Sequence, residues 1–168
     1  MTTLSIDIRK AEPRDAAAIA DVHHEAWRGA YAGIIPHKAL NVMISRRGRD
    51  WWANAIRRAA SVLVIEIGGV VAGYATMGRN RARELRQQGE IYELYLRPEY
   101  QGIGLGSRLF AAARQRLADH GLHGLVVWAL EENVNALQFY AGAGGRDVAE
   151  GVEVFDQKAL RKVAFVWD

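Results

Sequence analysis

The chain has 168 residues, half of them hydrophobic, and a formal net charge of +3, which suits one domain over residues 1–168 with a core of its own. That charge is too small to argue for a nucleic-acid partner, and no run approaches the ~20 apolar residues of a membrane span. Cysteine is absent, so disulfides, thiolate metal sites and a cysteine acyl-enzyme are excluded.

Without a signal-peptide pattern at the N-terminus, a cytoplasmic protein is expected. Ile6 and Ile8 alternate with polar neighbours, which predicts a short first strand. Pro13 ends it, and Asp15 is a candidate N-cap for a helix reaching about Arg28, with Ala16, Ile19, Ala20, His23 and Trp27 roughly on one face. A turn around Gly33 and Pro36 leads into a second helical stretch. It breaks near Gly48 and resumes through Trp51, Trp52 and Ile56, with one tryptophan expected to be buried and the other exposed or interfacial. Residues 62–67, then Gly68-Gly69, then residues 70–77 read as a β-hairpin, the glycine pair suiting a turn with positive φ. Two arginine clusters, Arg46-Arg47-Arg49 and Arg79-Arg81-Arg83-Arg86, are either solvated faces or attractors of an anion.

A strand over 90–96 follows. A helix over 105–120 then carries Leu105, Leu109, Ala112, Ala113 and Leu117 as its apolar stripe, ended by Gly121. A strand at 125–130, a short helix at 134–141 and two strands near 148–155 and 162–167 complete the chain. This order predicts a mixed α/β fold with helices on both faces of a twisted sheet. The apolar last strand, from Val163 to Trp167, is a candidate for pairing across a homodimer.

Between the strand over 90–96 and the helix over 105–120 stands Gln101-Gly102-Ile103-Gly104-Leu105-Gly106-Ser107. Its alternate glycines remove side chains that would keep an anion off the backbone, and the helix behind it offers unpaired amides and the positive end of its dipole. That combination makes a site for a phosphate or pyrophosphate. A Walker loop is excluded, because no lysine stands near Gly106. The dinucleotide fingerprint nearly fits at Gly102, Gly104 and Ser107. It lacks the third glycine, however, and Asp119 falls in the helix rather than at the end of a second strand.

Gln101, Gly104 and Gly106 resemble the Gln/Arg-x-x-Gly-x-Gly/Ala cofactor loop of the GNAT superfamily of N-acetyltransferases, and Leu96-Arg97-Pro98 resembles the strand end before it. Downstream, Asn133, Ala136, Phe139, Tyr140 and Gly144 reproduce the spacing of the family's second motif. The resemblance covers the chain from about residue 60 onward and, less specifically, the part before it. It implies a mostly antiparallel sheet splayed open between the strand before the loop and the strand after its helix. Acetyl-coenzyme A (acetyl-CoA) would lie in that V, its pantetheine along Leu94, Tyr95 and Leu96, its pyrophosphate on the amides of Gly102, Ile103, Gly104, Leu105, Gly106 and Ser107. The implied reaction is direct acetyl transfer to a primary amine, with a small molecule favoured over a protein terminus or lysine. A non-catalytic acyl-CoA sensor on the same fold is the alternative.

The resemblance also distributes roles. Tyr140 matches the tyrosine that protonates the departing thiolate; its other reading is an aromatic anchor, which Phe139 fills more naturally. Asn133 matches a pantetheine contact and is also an N-cap candidate, in competition with Asn135. For the base, Glu90 stands eleven positions before Gln101, as in histone-modifying relatives. Where other relatives place it on the later strand this chain has Trp128, which suggests an aromatic wall beside the acceptor. Glu93, expected on the opposite strand face from Glu90, is the other nearby carboxylate. Trp27-Arg28-x-x-Tyr31-x-Gly33-x-Ile35-Pro36 resembles a segment of one bacterial branch; Trp27 and Tyr31 would roof the acceptor, with Arg28 pairing with an acceptor carboxylate, or the two rings, four positions apart, simply pack the helix onto the sheet. The five histidines have no metal-ligand spacing. Gly145 stands where the family usually has phenylalanine, and this is expected to loosen the packing under the last helix and to leave residues 141–146 mobile.

Overall fold

The computed structural model describes residues 4–58 and 61–168. Its strands are β1 (Ile6–Lys10), β2 (Ser61–Ile67), β3 (Val70–Arg79), β4 (Gly89–Leu96), β5 (Leu125–Leu130), β6 (Arg146–Phe155) and β7 (Lys158–Trp167). Its helices are α1 (Ala16–Tyr31), α2 (His37–Arg46), α3 (Arg49–Arg57), α4 (Leu105–Asp119) and α5 (Val134–Gly142). Among the described residues no helix is long and apolar enough to cross a membrane.

One sheet runs in the order β1-β2-β3-β4-β5-β7-β6, antiparallel except between β4 and β5. Strand alternation sorts β2 between two cores: Leu63 and Ile65 pack with α4, while Val62 and Val64 pack with α1 and α3. Gly68 and Gly69, at φ 56° and 83°, make the tight β2–β3 turn. The α4 stripe is Leu105, Leu109, Phe110, Ala113 and Leu117. Phe110 is the member that simple spacing omits, because its ring reaches sideways to Trp167 and Tyr140.

Three expectations are corrected. Asp15 stands at the start of α1 but its carboxylate does not cap the helix. It accepts from Arg9 at 2.8 and 2.9 Å and from the Glu12 amide at 2.7 Å, tying β1 to the helical layer. The last strand is not a free edge: β7 pairs with β5 on one side and β6 on the other, so it has no ladder to offer a second chain. Nor is Gly145 a packing defect. A Cβ there would stand 2.6 and 2.8 Å from ring atoms of Trp167. That indole, donating to the Ala143 carbonyl at 3.1 Å, fills the space.

The feature that creates the site is a seam. β4 pairs with β5 only at Gly89 with Leu125 and Glu90 with Val126. Immediately beyond, β4 bulges: Thr76 and Met77 of β3 face Glu93 and Ile91, leaving Tyr92 as an extra residue. A bulge bends its strand and increases local twist. From there β4 leaves β5, whose opposite edge stays paired with β7 along its full length. The extra residue also resets the alternation, so Glu90 and Glu93 line the same cleft, contrary to the opposite faces expected of an unbroken strand.

Candidate active site

Beyond β4 the chain passes through Pro98–Tyr100, a single 3-10 turn, into the glycine loop. Gly102 and Gly104 take φ 80° and 86°, a region that side chains strongly disfavour. A Cβ on either would touch nothing within 4 Å, so the backbone path, not crowding, demands glycine there. Gly106 differs: a Cβ would come 3.3 Å from the Phe139 ring, which reaches from α5 over the start of α4. The first amides of α4 have no carbonyl of their own helix to bond. Gln101 Nε2 donates to the Leu96 carbonyl at 3.0 Å and so ties the loop to the end of β4.

These elements enclose a cleft of about 670 Å³ between β4 and β5, lined by Leu94, Tyr95 and Leu96, by Gln101, Gly102, Gly104, Gly106 and Ser107, and by Asn133 and Tyr140. Two members of the expected set do not line it. The Ile103 side chain stands in solvent and that of Leu105 is in the core. Asn133 caps α5, accepting from the Ala136 amide at 3.3 Å, while Asn135 lines the cleft beside it. Tyr140, rather than the half-buried Phe139, is the deeper anchor. Its ring packs among Phe110, Phe139, Phe165 and Trp167. Burial pushes its phenol pKa upward, so it holds its proton throughout the neutral range.

A second cleft of about 380 Å³ opens on the α1–α3 face, and Tyr31, Tyr92, Glu93, Tyr95, Trp128 and Ala129 line both clefts. Trp27 packs edge-on to Tyr31 with centroids 5.3 Å apart. The Tyr31 and Tyr95 hydroxyls meet at 2.5 Å, and burial raises both phenols. Trp128 forms a wall with Lys162 Nζ 4.7 Å from its ring centroid. Trp52 is fully buried beneath the cleft, and Trp51, 42% exposed, stands at its rim.

The two carboxylates differ in what holds them. Glu90, 2% exposed, is taken up by Arg81 through the backbone amide at 3.0 Å, Nε at 3.3 Å and a terminal nitrogen at 2.8 Å. Glu93 accepts from Arg47 at 2.5 Å, Thr76 at 3.1 Å and Tyr74 at 3.4 Å. Burial raises the Glu93 pKa, and Arg47 opposes the shift. Behind it His23 Nδ1 lies 3.0 Å from the Tyr74 hydroxyl. Burial first, then the Arg47 charge, lower His23 from 6.5 to about 3.

One expected residue is misplaced and one was missed. Arg28 donates to Asn41 at 2.8 Å and to His24 at 3.2 Å, and lines neither cleft. Two other guanidinia line the acceptor cleft, Arg81 beside Glu90 and Arg47, from the α2–α3 junction, beside Glu93; Arg47 is the one that was missed. The cluster Arg46-Arg47-Arg49 was its signal, but spacing alone does not say which member turns inward.

The profile described as the Acetyltransferase (GNAT) family matches residues 19–144. The chain belongs to this family. A GNAT relative in Bacillus subtilis, the uncharacterized N-acetyltransferase YuaI, is 30% identical over 162 residues, or 96% of this chain and 92% of its own. The L-amino acid N-acyltransferase MnaT of Escherichia coli is 30% identical over 140 residues, or 83% of this chain and 78% of its own. The GNAT fold is shared with the crystal structure of PaiA N-acetyltransferase from Thermoplasma acidophilum in complex with coenzyme A, at a TM-score of 0.76 and 21% identity over 94% of this chain and 98% of that one. The splayed sheet and flanking helices are the GNAT architecture, and the chain is an acyltransferase.

Proposed function

We propose that residues 1–168 form one catalytic domain that moves an acetyl group from acetyl-CoA directly to the primary amine of a small molecule, both substrates bound at once. One observation supports this above the others. The two clefts meet along Tyr31, Tyr92, Glu93, Tyr95, Trp128 and Ala129, so a donor on one side and an acceptor on the other share a boundary. Alignment of two reactants in this way removes most of the entropic barrier to their reaction.

The residues fit the donor. Acetyl-CoA supplies an acyl thioester activated toward attack. The β4 edge at Leu94, Tyr95 and Leu96, without a β5 partner, suits the amides of a pantetheine arm. Amides at the start of α4, reached through Gly102 and Gly104, suit a pyrophosphate. Asn133 and Gln101 border the same path.

Glu93 is the base in this reading. A carboxylate has about four lone-pair sites; three donors occupy those of Glu93, leaving one open, and it faces both clefts. Its raised pKa also makes it a better proton acceptor near neutral pH. Arg81 already takes up Glu90, which lines the acceptor side alone. Glu93 therefore removes a proton from the acceptor ammonium, directly or through a water. As the amine nitrogen bonds to the acyl carbon and the carbon–sulfur bond breaks, Tyr140 gives its phenol proton to the leaving sulfur; the second proton shed by the nitrogen restores the phenol, and Glu93 releases the first to solvent. An ammonium and a thioester become an amide, a thiol and one proton returned to solvent.

Thiol release measured across an amine panel tests the proposal. Glu93→Gln is expected to lower kcat by about 10²-fold or more, and Tyr140→Phe by a similar factor, with coenzyme A still bound by both. If no amine raises thiol release in the wild type while coenzyme A binds, the chain is a carrier-binding module instead.

A further inference from the structure

The acceptor side of the cleft has a charge pattern that the transfer step itself does not require. Among the described residues its carboxylates are Glu90, Glu93 and Glu153. Each is already neutralised, by Arg81 at 2.8 Å, Arg47 at 2.5 Å and Lys162 at 3.1 Å. A polyamine entering here would find no unpaired carboxylate along its length and a cation beside each of the three. An anion meets the same three pairs, yet a paired guanidinium keeps donors to spare. A guanidinium has five N–H donors in a planar fork, and the bond to Glu93 uses one of those on Arg47. The group is also held in place: its central carbon lies 4.6 Å from the Trp51 ring centroid, 5.6 Å from that of Trp27 and 5.9 Å from that of Trp52. A fixed cation with donors to spare therefore stands beside the carboxylate that receives the amine's proton.

We infer that Arg47 determines acceptor specificity, and that the acceptor is a free α-amino acid with a large apolar side chain. This rests on the reading of Glu93 as the base for amine acetylation. An amino-acid zwitterion and the Arg47–Glu93 pair are complementary dipoles, with ammonium to Glu93 and carboxylate to Arg47. Standard bond lengths hold the amino nitrogen about 3 Å from its own carboxylate oxygens, on the scale of the contact within the protein's pair. Apart from Thr76, the remaining wall, including Ile35, Met43, Trp51, Trp128 and Phe155, is apolar or aromatic, and the cleft as a whole, about 380 Å³, has room for a free amino acid with a large side chain. A peptide N-terminus has no carboxylate next to its amine and is rejected.

Thiol-release rates for phenylalanine, phenylalaninamide, phenethylamine, methionine, 3-(methylthio)propylamine and spermidine test this. Wild-type kcat/KM is expected to favour each amino acid over its carboxylate-free analogues by about 10- to 100-fold, the worth of a charge-assisted pair. The amide and the simple amine bracket phenylalanine in basicity, so a preference over both does not arise from amine protonation. In Arg47→Met the ratio falls toward one, and Arg47→Lys lies between, since an ammonium lacks the fork. The ratio is the readout because loss of Arg47 disturbs Glu93 equally for every acceptor. Equal or better use of spermidine, the amide or the amine by the wild type overturns the inference, as does an undiminished ratio in Arg47→Met. If that variant does not fold, the wild-type ratio decides alone. Failure of every amine while coenzyme A binds overturns the transferase reading and this one together.

Discussion

Buried within its aromatic surroundings, His23 is an imidazole kept neutral by its site. It lies against Trp27, Trp52 and Tyr74, with ring centroids 4.5, 5.9 and 6.4 Å away. The folded protein holds it near 3, against 6.5 for the free side chain. Between those values the unfolded chain binds a proton that the folded one refuses. Stability from this residue is therefore complete above pH 6.5 and is lost as the pH falls toward 3, by up to about 1.4 kcal/mol per pH unit. His23→Phe should flatten the fall in Tm between pH 6.5 and 4 relative to wild type, as read by thermal melts across that range. Parallel curves for the two proteins would contradict the assignment. Glu93 is the opposite case, a carboxyl whose burial outweighs a neighbouring guanidinium, and its proton leaves at higher pH than that of an exposed glutamate.

At the level of elements, the glycine loop and the bulge shape the two clefts. Gly104 begins α4 at φ 86°, where valine costs about 1–2 kcal/mol of backbone strain and would also bring side-chain bulk up to the pyrophosphate path. Gly104→Val is expected to lower Tm modestly and to abolish coenzyme A binding in calorimetric titration; retained affinity would remove the loop from the site. Helices, strands and this loop were readable from the sequence because hydrophobic period and glycine spacing are local properties. The Tyr92 bulge was not, since an inserted strand residue leaves no mark on composition, and with it went the shared face of Glu90 and Glu93. Arg47 was hidden for a related reason. Its inward turn depends on how α2 breaks into α3 at Gly48, not on its neighbours in sequence. The filling of Gly145 by Trp167 joins residues 22 positions apart, beyond the reach of a motif.

For the whole molecule, strand order was the least legible property, because β7 lies between β5 and β6 for reasons that no single segment carries. The resulting sheet is held across its middle by the Gly89–Leu125 and Glu90–Val126 pairs and by side-chain packing. A ligand that bridges β4 and β5 binds the folded state alone. At one hundred times its dissociation constant it adds about 2.7 kcal/mol, a rise in Tm of about 5–10 °C for a chain of this size. Differential scanning fluorimetry with coenzyme A checks this, and a nicotinamide dinucleotide at equal concentration should give no comparable rise.

The open seam has a further consequence for the catalytic cycle. On the proposed reading the donor takes the place of a missing strand where β4 parts from β5, so the reactant would complete the architecture that activates it. Donor binding and release would then close and reopen this line at each turnover, so the chain's resistance to unfolding is expected to follow its supply of charged carrier.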